Sequence, residues 1–234
     1  MFACISILNF VIMIRLNLLK NVFVGTFLLC TAWMELPAQN PKPFVIPELK
    51  EWQGKEGCFI PTDKSRIVYG DASLKHVAEA FASDWKTQFG FAMQVVEGKP
   101  EEGDFYLTLK NDKKLGKEGY TLSVTKSVTV TAPETTGVYW ATRTLLQICE
   151  QTEDHQLPIG KVRDWPDYSI RGFMMDCGRK FIPMAYLQDL VKIMSYYKMN
   201  VLQVHLNDNG FKQFYNHDWN KTYAAFRLEC ETFP

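Results

Sequence analysis

The sequence predicts two unlike parts. Residues 39–165 read as an α+β domain with a mostly antiparallel sheet and two helices, and residues 166–234 as the opening of a parallel α/β domain. Three observations lead there. Short runs that alternate or cluster as strands recur through residues 58–163, with one tight turn between two of them. Two stretches among them carry apolar residues at helical spacing. After Asp164-Trp165-Pro166 the pattern changes to strand, loop, helix, strand, and such βαβ units make parallel sheets.

Residues 1–38 differ from the rest. Arg15 and Lys20 precede Val22–Trp33, a charge-free apolar run whose length suits the core of a signal peptide and falls short of a membrane span. Leu36-Pro37-Ala38 supplies a small-residue cleavage site, and Met13 is a more ordinary start than Met1. These features predict an exported chain, periplasmic or extracellular. Cys30 raises lipoprotein anchoring, which the bulky Leu29 before it opposes.

Gln39–Pro47 is Pro-rich and reads as a linker. Cys58–Ile60 and Arg66–Tyr69 are strand candidates. Asp71-Ala72-Ser73 starts a helix carrying Leu74, Val77, Ala78, Phe81 and Trp85, which Gly90 ends. Ala92–Val96, Asp104–Leu109, Tyr120–Val124 and Ser127–Thr131 follow as strands, with a hairpin at Lys126-Ser127. Thr135-Thr136-Gly137 leads into a second helix bearing Val138, Ala141, Thr142, Leu145 and Ile148, and Ile159–Arg163 closes the domain as a strand. This part holds no concentrated chemistry.

In the second part, Ser169–Met175 is a short apolar strand ended by the turn signal Asp176-Cys177-Gly178-Arg179. Pro183 suits the first turn of a helix, where its missing N–H costs nothing. Met184, Leu187, Val191 and Met194 fall on one helical face, Asn200 ends the helix, and Val201–Leu206 is a second strand. In parallel α/β folds, ligands meet the loops beyond the carboxyl ends of the strands. Asp176, Arg179, His205 and Asp208 lie there.

At 234 residues, with 47% apolar and 14% aromatic content, the chain can bury a core. Its 26 basic and 26 acidic residues balance without blocks of like charge, so nothing points to nucleic acid or an anionic membrane as partner. The cysteines at 4, 30, 58, 149, 177 and 230 show no CxxC spacing, and His205 has no neighbour at metal-ligand spacing. Cys177 reads as a small buried hydrophobe rather than a nucleophile.

The run RGFMMDCGRKF followed by YYKMNVLQVHLNDNGFK resembles the opening of the catalytic (β/α)8 TIM barrel of glycoside hydrolase family 20, the β-N-acetylhexosaminidases. ETTGVYWA (134–141) and PIG…DWP (158–166) resemble the non-catalytic N-terminal domain of the same family, so the likeness runs through nearly all of the chain after the leader. The resemblance implies a substrate, a glycan ending in an N-acetylhexosamine, and implies no metal or organic cofactor. It also implies substrate-assisted retaining hydrolysis, in which the sugar's own acetamido oxygen attacks the anomeric carbon. An adjacent Asp-Glu pair at the end of the fourth barrel strand then orients the acetamido group and protonates the leaving oxygen.

Residue by residue, Arg179 matches the family arginine that binds the terminal sugar's hydroxyls, a task its planar donors suit. On spacing alone an ion pair with Asp176 is the alternative. Asp208 matches an active-site aspartate, although Asn209 follows it where the family has a second acid; an Asx-type turn contact is the alternative. Asp176 is expected to hold Arg179 from behind, and His205 to be a hydrogen-bonded core histidine. No catalytic residue is expected in this chain. A TIM barrel takes roughly 250 residues, and only 65 follow Ser169. The sequence therefore predicts a barrel cut off after about two strands: the front part of a longer enzyme, inactive by itself and poorly soluble in its last third. Two rivals are a non-catalytic carbohydrate-binding or interaction protein and a lone zincin-like module; the absence of HExxH opposes the latter as a protease.

Overall fold

A computed structural model of the chain describes residues 39–178 and 181–206. Seven strands, β1 (Glu51–Phe59), β2 (Arg66–Tyr69), β3 (Gln94–Glu97), β4 (Phe105–Leu109), β5 (Tyr120–Val124), β6 (Val128–Ala132) and β7 (Leu157–Asp164), form one sheet in the order β1-β7-β5-β6-β4-β2-β3. The half from β1 to β6 is antiparallel. Beyond β6 the pairs β6–β4, β4–β2 and β2–β3 are parallel. The expected α+β fold with its antiparallel sheet is present, and the parallel edge is an addition to it.

Alternation explains which face is covered. In β5 and β6 the residues Tyr120, Leu122, Val124, Val128, Val130 and Ala132 are buried, while Thr121, Ser123, Thr129 and Thr131 between them are only partly so. Cross-strand register then lines up Trp52, Val162, Leu122, Val130, Leu107 and Tyr69 in one row. Helices α1 (Lys75–Phe89) and α2 (Thr135–Cys149) pack on this sheet and on each other.

Both helices start and stop for local reasons. Asp71 accepts from the Ser73 amide at 2.9 Å and caps a 3-10 turn, Ala72–Leu74, that runs into α1. Gly90 ends α1 at φ +84°, a conformation that favours glycine. Phe81 and Trp85 of α1 enter an aromatic cluster with Phe59 and Phe105, the rings of Phe81 and Phe105 meeting edge to face at 5.7 Å. In α2, a Cβ at Gly137 would lie 2.4 Å from the Gly119 carbonyl oxygen and 2.8 Å from Ala132 Cβ. Only glycine lets the helix lie that close.

The structure moves several of the expected bounds. The first strand begins at Glu51, seven residues before Cys58, because it is an edge strand held on one side by β7 and needs no apolar alternation. The β5–β6 turn takes in Thr125, whose amide bonds the Ser127 carbonyl at 2.9 Å. Two further bounds move in the second part of the chain.

That part comprises β8 (Gly172–Asp176), α3 (Met184–Tyr196) and β9 (Val201–His205), with β8 and β9 parallel. Pro183 is the N-cap of α3 rather than a residue of its first turn. The helix stops at Tyr196, not Asn200, because Lys198 adopts φ +58° and turns the chain. There the Lys198 amide bonds Ser195 O and the Met199 amide bonds Met194 O.

Candidate functional site

The parallel register pairs Gly172 with Val201, Met174 with Gln203 and Asp176 with His205. Paired residues on adjacent strands share a face, so Asp176 and His205 stand abreast at the carboxyl ends of β8 and β9. Both are half-buried. The ladder runs one step further, the Cys177 amide donating to His205 O at 2.8 Å, and Asp176 Oδ1 accepts from the Gly178 amide at 3.0 Å. Asp176 thus folds its own loop back, a tight Asx-type turn. Cys177 is buried, as expected of a small hydrophobe. Arg179 and Asp208, the two residues expected to touch sugar, lie outside the described residues, and so does the whole leader. Among the described residues no group of His, Cys, Asp and Glu could hold a metal ion, and no helix is long and apolar enough to cross a membrane.

A second polar cluster sits at the amino ends of the same two strands. Lys198, 8% exposed at its side chain, forms a salt bridge with Asp164 at 3.1 Å and donates to the Tyr120 hydroxyl at 2.9 Å. Tyr120 donates to Asp164 Oδ2 at 2.6 Å and also meets the Thr144 hydroxyl at 2.6 Å, while Asp164 Oδ1 accepts from the Lys50 amide. Every polar atom of this buried group is engaged, as burial of charge demands. Burial lowers the Lys198 amine below its ordinary value, against the opposing pull of Asp164. Burial and then the Asp164 charge push the Tyr120 phenol well above its own.

Beside it, Glu118 gathers three donors. Its Oε2 accepts from Trp140 Nε1 at 2.8 Å and from the Arg171 guanidinium, and its Oε1 from Asn200 Nδ2 at 3.3 Å. Arg171 in turn donates to the Lys198 and Tyr168 carbonyls, both at 2.7 Å. A cleft of about 570 Å³ borders this cluster, with Leu49, Lys50, Trp165 and Tyr168 among its walls. The sequence reading weighed none of Glu118, Asp164 and Lys198. Each looks like an ordinary solvated charge in its own segment, and only the fold brings them together.

The order of domains decides the family. Residues 42–165 match the profile described as glycosyl hydrolase family 20, domain 2, and residues 168–214 match that of the family's catalytic domain. The chain belongs to glycosyl hydrolase family 20. It is 24% identical over 236 residues to a beta-hexosaminidase of Porphyromonas gingivalis, covering 92% of this chain and 29% of that protein. It is 28% identical over 179 residues to a beta-hexosaminidase of Vibrio furnissii, covering 75% of this chain and 28% of that one. Among solved structures, a mutant beta-hexosaminidase of Streptomyces plicatus in complex with its product GlcNAc superposes with a TM-score of 0.66 at 23% identity. That match covers 74% of this chain and 36% of the other, and shows a shared fold. The family 20 chain thus spans less than a third of the length of these two curated relatives.

Proposed function

We propose that the protein hydrolyses terminal non-reducing N-acetyl-β-D-hexosamine residues of glycans, residues 39–165 serving as the non-catalytic domain and 166–234 as the opening of the catalytic barrel. The observation that carries this is the succession of the two family 20 domains in one chain, alongside relatives named beta-hexosaminidase. In this reading Arg179 grips hydroxyls of the terminal sugar and Asp208 lines the same end of the barrel. Asp176 and His205, abreast at the strand ends, support that rim from behind. Chemistry follows the substrate-assisted route: the acetamido oxygen displaces the leaving group, which an acid protonates, and water then opens the oxazolinium intermediate. The pair of acids that this needs is expected from barrel strands beyond the two described. Residues 1–38 act as an export signal, which puts the enzyme where extracellular glycans are found.

The test compares two proteins on a chromogenic N-acetyl-β-glucosaminide: the chain as it stands without its leader, and the product of a reading frame extended past Pro234. Turnover by the longer protein alone, cut at least a hundredfold by Arg179→Ala, is the expected result. Turnover by neither overturns the hydrolase reading and leaves a carbohydrate-binding protein, which glycan binding without turnover would mark.

A further inference from the structure

The two polar contacts at the amino ends of β8 and β9 take no part in the proposed chemistry, yet they join both strands to the seven-stranded domain. Arg171 directly precedes β8 and Asn200 directly precedes β9, with Lys198 two residues before Asn200. Arg171 and Asn200 hold each other: the Arg171 amide donates to Asn200 Oδ1 and the Asn200 amide to Arg171 O, both at 2.9 Å. Glu118 accepts from the side chains of both, and Asp164 with Tyr120 accepts from the Lys198 amine.

Register in a parallel pair is ordinarily fixed by burying one face, since a slip of one residue turns every side chain to the other side. Here that device is weak. Phe173, Met174 and Val201 are all more than 40% exposed, and of α3 only Met194 is buried. An isolated two-stranded sheet is marginal in water. Lys198 moreover adopts a left-handed backbone that is unfavourable for a non-glycine residue, and its amine is seated in a buried site.

We infer that Glu118 and Lys198 are positioning residues, through which the seven-stranded domain fixes the register of β8 against β9 and so sets Asp176 and His205 abreast. They act at the opposite end of the strands from those two residues. The inference rests on the hydrolase reading only for what the strand ends are for.

The test is made on the chain itself by NMR, without substrate, so that it and the hydrolase reading fail separately. Two readouts are followed: cross-strand contacts between Asp176 and His205, and hydrogen exchange at the Cys177, Asn200 and Val201 amides against Leu122 and Val130 in the sheet. Lys198→Gly keeps the left-handed turn and removes the whole side chain with its amine; Glu118→Ala removes the acceptor. Each should speed exchange at the first three amides at least tenfold and weaken the Asp176–His205 contacts, with Leu122 and Val130 unchanged. Glu118→Gln, which keeps an acceptor oxygen, should recover most of the register. Unchanged contacts and exchange overturn the inference. So does a loss of protection that includes Leu122 and Val130, which would make the residues part of the general core.

Discussion

The seven-stranded domain and the β8–α3–β9 unit bury their apolar residues very differently. In the first, Ile67, Phe81, Trp85, Phe105, Leu107, Val130 and Leu145 are wholly inaccessible, and two helices cover the sheet face they line. In the second, Phe181, Met184, Val191 and Ile193 lie open, with Met184 68% and Val191 48% exposed. Of the fifteen large apolar side chains exposed among the described residues, twelve fall in 168–206. The first part is held by its own core. The second is held to the first at the amino ends of its strands and at the last turn of α3, by charges and hydrogen bonds.

This contrast can be broken most sharply in the core. Phe105→Ala empties a fully buried site in the aromatic cluster and should cost about 3–5 kcal/mol, read as a lower urea midpoint. A loss below about 1 kcal/mol would mean that the cluster is not a packed core. Next comes the junction. Asp164→Ala leaves the Lys198 amine buried without its partner, which should cost about 3 kcal/mol by the same assay, with β8 and β9 loosening first.

Two pH experiments then sharpen which charges matter. Burial would raise the Asp104 carboxyl, but three bonds from Arg66 and one from the Glu101 amide hold it below the ordinary value. A carboxyl depressed in the folded state contributes stability above the unfolded pKa of about 4, lost as pH falls through the folded value. Asp104→Asn should therefore cost about 1–3 kcal/mol at pH 7, and the cost should shrink as pH is lowered below about 4, in chemical unfolding across that range. For Tyr120 the sign is reversed. Its phenol is raised in the fold, so its contribution is complete below about pH 10 and lost as pH rises further. Tyr120→Phe should lower the thermal midpoint at pH 7, and the gap from the parent should narrow above pH 10.

The smallest effect is expected on the open face of α3. Ile193→Lys should change stability by no more than about 0.5 kcal/mol while reducing self-association in size-exclusion chromatography. A large destabilisation there would show that α3 is held by its apolar face after all.

What could be read from the sequence follows the range of the forces involved. Helix α1, with Asp71 at one end and Gly90 at the other, was legible because both signals act within a few residues. The β5–β6 hairpin and the strand pair after Asp164 were legible for the same reason. The parallel edge β6-β4-β2-β3 was not, because nothing in Gln94–Glu97 says which way its neighbour runs. Nor was the end of α3, since a left-handed lysine has no local signature; it is held by Asp164, 34 residues earlier. For the candidate site, Asp176 and His205 came from strand ends alone. Glu118, which shares no segment with the strands it holds, could be found only from the fold.

That spacing along the chain also sets an order in time. All seven strands of the first domain lie between Glu51 and Asp164, and Lys198 is added 34 residues later. At roughly 5–20 residues per second during synthesis, the wait lasts roughly two to seven seconds. A sheet of this size can close within it. The nascent domain then displays Asp164 and Tyr120 before the strand that follows Lys198 has emerged. Translation delivers that template first, and β9 meets its anchor as it appears.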